Sequence, residues 1–247
     1  MRSIGIIPAR FNSTRFPGKP LADIFGKPMI QRVYEQAKKA SSLHEVVVAT
    51  DDQKIFDAVE NFGGKVVMTS AKHQSGTDRC LEALEKLEES YDIVVNIQGD
   101  EPYISPEQIQ LILSCFHQEN TEIATLVKLI EDEKELWNPN KPKVLMDEAD
   151  FAIYFSRQCL PFLRDHEQAA WLEEFNFYKH IGMYAYRIET LKEICQLKQS
   201  RLELAEGLEQ LRWIENGYRI KTAITDEEAF SIDTPEDLTD LLSQLKN

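Results

Sequence analysis

With 247 residues, 43% of them hydrophobic and only ten each of Gly and Pro, the chain is long enough to bury a full core and reads as one ordered globular domain. Its formal charge of -14 argues against nucleic acid as a partner, because a polyanion needs a broad basic face to release counterions. Cys80, Cys115, Cys159 and Cys195 lie too far apart for a zinc ribbon or redox pair and are expected as reduced core thiols. The N-terminal apolar run is too short for a signal peptide and no later stretch approaches a membrane span, so a cytoplasmic location is expected.

In chain order, Ile4–Ile7 reads as a buried strand. Ile30, Val33, Tyr34 and Ala37 mark a helix face, followed by a strand at Val46–Ala49. Ile55, Phe56, Val59 and Phe62 give a second helix closed by Gly63 and Gly64, before a strand over Lys65–Thr69. Leu81, Leu84, Leu87 and Tyr91 predict the next helix, and Ile93–Ile97 a strand buried on both faces, leaving through Gln98, Gly99 and Asp100. Ser105, Pro106 and Gln108 supply cap, first-turn proline and capping-box partner for a helix to about Phe116, and Ile123–Leu129 returns to the sheet. The second half is less regular, with strands at Lys143–Met146, Phe151–Ser156 and His180–Arg187 and a helix over Leu208–Glu215 ended by Gly217. Alternating strands and helices imply an α/β fold whose mostly parallel sheet binds ligands beyond the carboxyl ends of its strands.

The segment Pro8–Pro20, PARFNSTRFPGKP, carries Arg10, Arg15 and Lys19 and no acid. A basic, Gly- and Pro-punctuated loop leaving a strand is a candidate phosphate cradle, although neither GxxxxGK[ST] nor GxGxxG is present. On so acidic a chain, a local basic loop points to a small anionic ligand. Asp100 and Asp233 each follow an apolar segment, and two hard carboxylates at strand ends could share one Mg²⁺. Taken alone, each aspartate could equally be a turn or capping residue. His44, His117 and His166 fall in no motif and are expected at the surface, His73 beside Gln74 is a second-layer candidate, and the acidic run Glu131–Glu135 is expected as a solvated helix or loop and not a partner site.

In order along the chain stand IPARFNSTRFPGKPL, VATDD, HQSGTDR, VNIQGDEP, YFSR, KHIGMYAYR, LEQLR and IDTPEDL, from Ile7 to Leu238. By these motifs the sequence resembles the 3-deoxy-manno-octulosonate (KDO) cytidylyltransferases, the CMP-KDO synthetases of lipopolysaccharide synthesis. The resemblance implies a Rossmann-like nucleotide-diphosphosugar transferase fold, a mixed sheet flanked by helices with a smaller sugar-binding and dimerisation region. The expected parts are a nucleotide-binding half to about residue 130, the sugar and dimer region over about 131–225, and a metal-ligand turn and helix over 226–247. It further implies a homodimer that converts CTP and KDO to CMP-KDO and diphosphate with Mg²⁺, soluble substrates without nucleic acid or membrane.

Carried over by motif, the resemblance gives Arg10, Arg15 and Lys19 the triphosphate, and Pro8, Ala9, Gln74, Ser75 and Arg79 the cytosine and ribose. Asp100 and Asp233 are expected to hold magnesium, with Arg10, Lys19 and the two aspartates as the catalytic set. The sugar acid falls to Gln98, Arg157, His180, Tyr184, Glu209 and Gln210, Arg157 being the first choice for its carboxylate. The implied chemistry is in-line attack by the anomeric hydroxyl on the α-phosphate, with the metal or Asp100 assisting deprotonation. Phe11 and Phe16 depart from the family's usual Tyr and Leu, Gln158, Cys159 and Leu160 replace small residues, and Asp165–Phe177 matches least, where a preference for an amino-substituted sugar could lie. A CMP-sialate synthetase is disfavoured by the RFPGKP ending of the loop. A non-catalytic nucleotide-binding regulator is disfavoured because both aspartates and the sugar-contact positions are present.

Overall fold

The computed structural model describes residues 1–12, 15–228 and 230–244; Ser13 and Thr14 of the basic loop, and Ala229 ahead of Phe230, lie outside the described residues. The chain divides into two compact units, Met1–Gln110 with Ala229–Asn247, and Leu111–Glu228. These boundaries near 110 and 229 compare with the expected parts at about 130 and 225.

In the first unit the strand Ser3–Ala9 lies between Glu45–Thr50 and Ile93–Asn96, parallel to both, and Val66–Met68 adds in parallel to Glu45–Thr50. Ile4, Ile6, Ile7, Val46, Val47, Val48, Val94 and Val95 are wholly buried. That double-sided burial is why these strands read as continuous apolar runs. Parallel neighbours need crossovers, supplied by the helices Met29–Ala37, Gln53–Asn61 and Gly76–Glu85. Local chemistry sets their ends: the Asp52 carboxylate accepts from the amides of Lys54 and Ile55, and Gly63 takes φ 76° after the second helix. All four strands point the same way, so Ala9, Thr50, Met68 and Asn96 finish along one edge. The C-terminal helix Pro235–Gln244 belongs to this unit, with Ile232 and Leu241 packed in one cluster with Ile24 and Met29.

The predicted helix over Leu81 to Tyr91 stops at Glu85, and Tyr91 is buried ahead of the strand that starts at Ile93. Its apolar spacing reports burial and not helix, because the chain must turn there to enter the sheet.

The second unit is mixed. Ile123–Leu129 pairs in parallel with Ile220–Ile224 and antiparallel with Tyr178–Arg187, whose first residues also pair with Lys143–Met146; Ala152–Ser156 completes the ribbon. Helices Ile188–Ile194 and Arg201–Glu206, and the strand Ile220–Ile224, were not expected. The second of these helices is legible in hindsight, since Ser200 and Glu203 form a capping box at its start. Glu203 also receives Arg212 Nε at 2.8 Å in a buried ion pair. The acidic run is exposed as expected and runs into the short helix Glu133–Leu136, except that Glu135 accepts from the buried Lys179 at 2.7 Å and from Lys141. Cys80 and Cys115 are core thiols as expected, but Cys159 and Cys195 are only partly buried. His44, His117 and His166 are exposed.

Candidate active site

At the carboxyl edge of the first unit's strands lies a cavity of about 360 Å³. It gathers Pro8, Ala9 and Arg10 from the exit of the first strand, Arg15 and Lys19 from the basic loop, and Gln74, Ser75 and Arg79 from the start of a helix. Gln98 and Asp100 from the exit of Ile93–Asn96, and Asp233 from the C-terminal segment, complete this set. Every residue assigned from the sequence to nucleotide and metal therefore meets in one place.

Two close approaches shape it. A Cβ on Gly99 would stand 2.8 Å from the Pro8 carbonyl oxygen, so the exits of two neighbouring strands touch only because residue 99 has no side chain. Gly18, at φ 73°, donates its amide to the Phe11 carbonyl at 2.9 Å and opens the short 3₁₀ turn Lys19–Leu21 that turns Lys19 inward.

Lys19 Nζ lies 2.7 Å from Asp100 Oδ2 and 3.4 Å from Asp233 Oδ1, while Arg15 reaches the same Asp233 oxygen at 2.9 Å. The C-terminal segment is pinned here by the Ile232 amide, which donates to the Asp100 carbonyl at 2.9 Å, and the Asp237 carboxylate accepts from the Asp233 and Thr234 amides. Two carboxylates that converge on one ammonium can converge equally on a divalent cation of similar reach, so the donor set fits Mg²⁺, a hard ion that takes one or two carboxylates and completes its shell from phosphates and water. No group of three or more potential ligands occurs among the described residues. Glu101, next in the chain, adds no third charge at neutral pH: burial, and then the Asp100 charge, push it up to about 8.

On the other side, Ser75 caps the helix Gly76–Glu85, its Oγ accepting from the Asp78 amide at 3.1 Å. Arg79 is buried and donates to Thr69 Oγ1 at 2.6 Å and to Asp51 Oδ2 at 3.3 Å, so the VATDD motif acts by orienting this arginine. His73 lines the cavity directly, nearer than a second-layer role, and its Nε2 meets Glu82 Oε2. Burial opposes ionisation of Glu82, but hydrogen bonds from Lys86, the Ser70 amide and His73 outweigh it and hold that carboxyl down at about 2. Sequence reasoning missed Asn96 and Gly76, which also line the cavity; both stand inside motifs, but only a structure tells which motif residues face in.

Five of the residues expected at the sugar belong to the second unit. A register shift between Ile181 and Tyr184 breaks the strand Tyr178–Arg187. Four residues along a regular strand span roughly 13 Å, yet the His180 and Tyr184 rings lie 5.2 Å apart, so the bulge is what brings them together. His180 Nε2 lies 3.0 Å from Thr125 Oγ1, and its packing against Phe155 and Tyr184 lowers its pKa to about 3 by desolvation. Tyr184 sits edge-on to Trp213, and burial, reinforced by the Glu209 charge, raises its hydroxyl pKa well above the usual value. Gln210 is buried at the start of the helix Gln210–Glu215. Arg157 donates from Nε to the Glu206 carbonyl at 2.6 Å, from Nη1 to Pro139 at 2.9 Å and from Nη2 to Gly207 at 3.4 Å. These backbone carbonyls use three of its five N–H donors and, among the described residues, leave two.

Residues 4–222 match the family model described as cytidylyltransferase. A 3-deoxy-manno-octulosonate cytidylyltransferase of Parabacteroides distasonis is 60% identical, over 100% of this chain and 99% of the relative. One of Cytophaga hutchinsonii is 57% identical over 95% and 94%. Among solved structures, a CMP:2-keto-3-deoxy-manno-octonic acid synthetase complexed with CTP superposes with a TM-score of 0.91 at 40% identity, covering 100% of this chain and 99% of that one. Together with a cavity that unites the basic loop and both aspartates, these likenesses establish that the chain belongs to the cytidylyltransferase family, among its 3-deoxy-manno-octulosonate members.

Proposed function

We propose that the protein transfers a cytidylyl group from CTP to 3-deoxy-manno-octulosonate, activating this sugar acid for lipopolysaccharide synthesis. The observation that carries the reading is the meeting of Lys19, Asp100 and Asp233 in a cavity also lined by Arg10, Arg15 and the Ser75–Arg79 turn. Arg10, Arg15 and Lys19 would bind the triphosphate oxygens, and the exposed position of the two arginines allows them to follow the phosphates. Asp100 and Asp233 would hold Mg²⁺, which when bound supplies charge neutralisation at the phosphates and lowers the pKa of an oxygen it contacts.

The anomeric oxygen forms a bond to the α-phosphorus as the bond from that phosphorus to the bridging oxygen breaks, and the electron pair leaves with diphosphate. Cations already in place stabilise that departing charge without reorganisation. The hydroxyl proton passes to a base, for which Asp100 is the carboxylate in the cavity nearest Lys19. Gln98 in the same cavity is suited to hydrogen-bond sugar hydroxyls, and the two remaining donors of Arg157 suit a sugar carboxylate. A homodimer is part of the proposal, on the likeness to the family, and light scattering coupled to size-exclusion chromatography tests it. A cytoplasmic site of action is likewise proposed; among the described residues no helix is long and apolar enough to cross a membrane.

The decisive assay follows diphosphate release from CTP, Mg²⁺ and KDO, repeated with UTP, sialate and 8-amino-KDO. Release with KDO and CTP supports the reading, release with sialate alone overturns it, and faster turnover of 8-amino-KDO reassigns the sugar.

A further inference from the structure

Asn96 ends the strand Ile93–Asn96 and lines the cavity. It is 5% exposed, and its Oδ1 is buried with no hydrogen-bond partner among the described residues. A buried amide oxygen left unmatched costs a free protein stability, whereas an apolar side chain of the same shape would not. The fold thus gains nothing from a polar atom here. The amide nitrogen lies 3.6 Å from where a Cβ on Gly76 would stand, and Pro8 Cγ lies 3.4 Å from that same point. Asn96 therefore belongs to the end of the cavity built by Pro8 and the Ser75-capped helix, beside Arg79 on that helix.

We propose that the Asn96 side-chain amide, turned about its last torsion so that its oxygen takes the place of the cavity-facing nitrogen, accepts a hydrogen bond from the nucleoside half of the bound nucleotide and is a specificity-determining residue of the site. The inference rests on reading this cavity as the CTP site. The donor is either the exocyclic amino group of the base or a ribose hydroxyl, and each presents the N–H or O–H that the orphaned acceptor needs. Uracil offers an acceptor in place of the amino group, and a deoxyribose lacks one hydroxyl, so the two sources separate by substrate.

The test compares Asn96→Leu, close in shape but apolar, with the unmodified protein. Thermal unfolding is measured without nucleotide, and binding of CTP, dCTP and UTP by calorimetry without sugar. Asn96→Leu is expected to unfold at the same temperature or higher, to bind CTP about tenfold more weakly, and to raise KM for CTP with little change in kcat. If the base is read, the variant loses the preference for CTP over UTP; if the ribose is read, it loses the preference for CTP over dCTP. Unchanged CTP affinity overturns the proposal, and so does a lower unfolding temperature with unchanged preferences, which would make the amide a structural group. Asn96→Ala, smaller and unable to overpack, repeats the comparison if the leucine variant does not fold. Failure of both to fold also overturns it, since an unmatched amide cannot be what folding requires. Failure of the CTP reading itself shows separately, as an unmodified protein that binds no CTP.

Discussion

Replacing Lys19 by Met keeps the length of the side chain and deletes the ammonium on which Asp100 and Asp233 converge. The Lys19 side chain is 13% exposed and that of Asp100 26%, with 2.7 Å between them. A charged hydrogen bond in that setting contributes about 1.5–3 kcal/mol. Asp233, at 3.4 Å and 38% exposed, adds less than about 1 kcal/mol because solvent screens it. The variant is therefore expected to lose roughly 2–3 kcal/mol, which for a chain of this size lowers the unfolding midpoint by about 5–10 °C. Two carboxylates freed of their internal cation should also bind Mg²⁺ better without nucleotide, so added Mg²⁺ restores more of the midpoint in Lys19→Met than it adds to the unmodified protein. Turnover moves the other way, with kcat/KM for CTP falling by about 10²–10³ on loss of a donor aimed at developing phosphate charge. Scanning calorimetry with and without Mg²⁺, beside the diphosphate-release assay, reads all three effects. An unchanged midpoint, equal Mg²⁺ shifts in both proteins and kcat/KM within tenfold would together refute the shared centre.

Asp100→Asn keeps side-chain volume while removing the charge, and is expected to lower turnover by at least about 10² with the circular-dichroism spectrum unchanged; near-normal kcat would remove Asp100 from the site. Gly99→Ala drives a methyl group to 2.8 Å from the Pro8 carbonyl, a backbone atom that cannot swing aside, and is expected to cost about 1–3 kcal/mol and to weaken CTP binding. Urea unfolding at unchanged stability would show that the two strand exits separate freely. His180 titrates near 6.5 when unfolded and about 3 in the fold, so it stays neutral while the unfolded chain takes up a proton. Its contribution is complete above about pH 6.5 and is lost as pH falls toward 3, by at most about 2 kcal/mol at pH 5, less to the extent that the residue keeps some solvent exposure. Urea unfolding at pH 8, 6 and 5 should show a shallower decline for His180→Gln; parallel profiles would contradict the desolvated ring.

Much of the first unit was legible in the chain because its signals are local. Val46–Ala49 and Ile93–Ile97 are apolar runs since both faces of a parallel strand are covered, and Gly63 ends a helix through its own backbone angle. The motifs named the residues of the cavity, and basic charge with Gly and Pro punctuation after a strand made Pro8–Pro20 the expected place for an anion. The second unit was harder to read, because the place of the buried Lys179 is set by Glu135 and Glu228, both remote in sequence, and no periodicity marks a bulge at Ile181–Tyr184.

What the order of residues determined by itself was therefore the alternation of elements, the basic loop and the candidate acids. Only the tertiary structure decided that Asp233 joins Asp100 on Lys19, through the Ile232 amide on the Asp100 carbonyl. It alone decided that Asn96, at the cavity wall, carries a buried oxygen unmatched among the described residues, and that most of the donors of Arg157 are committed to backbone. The physical reason is distance: backbone propensity and hydrophobic period act over a few residues, whereas charge pairing and hydrogen-bond satisfaction are settled between groups that meet only once the chain has folded.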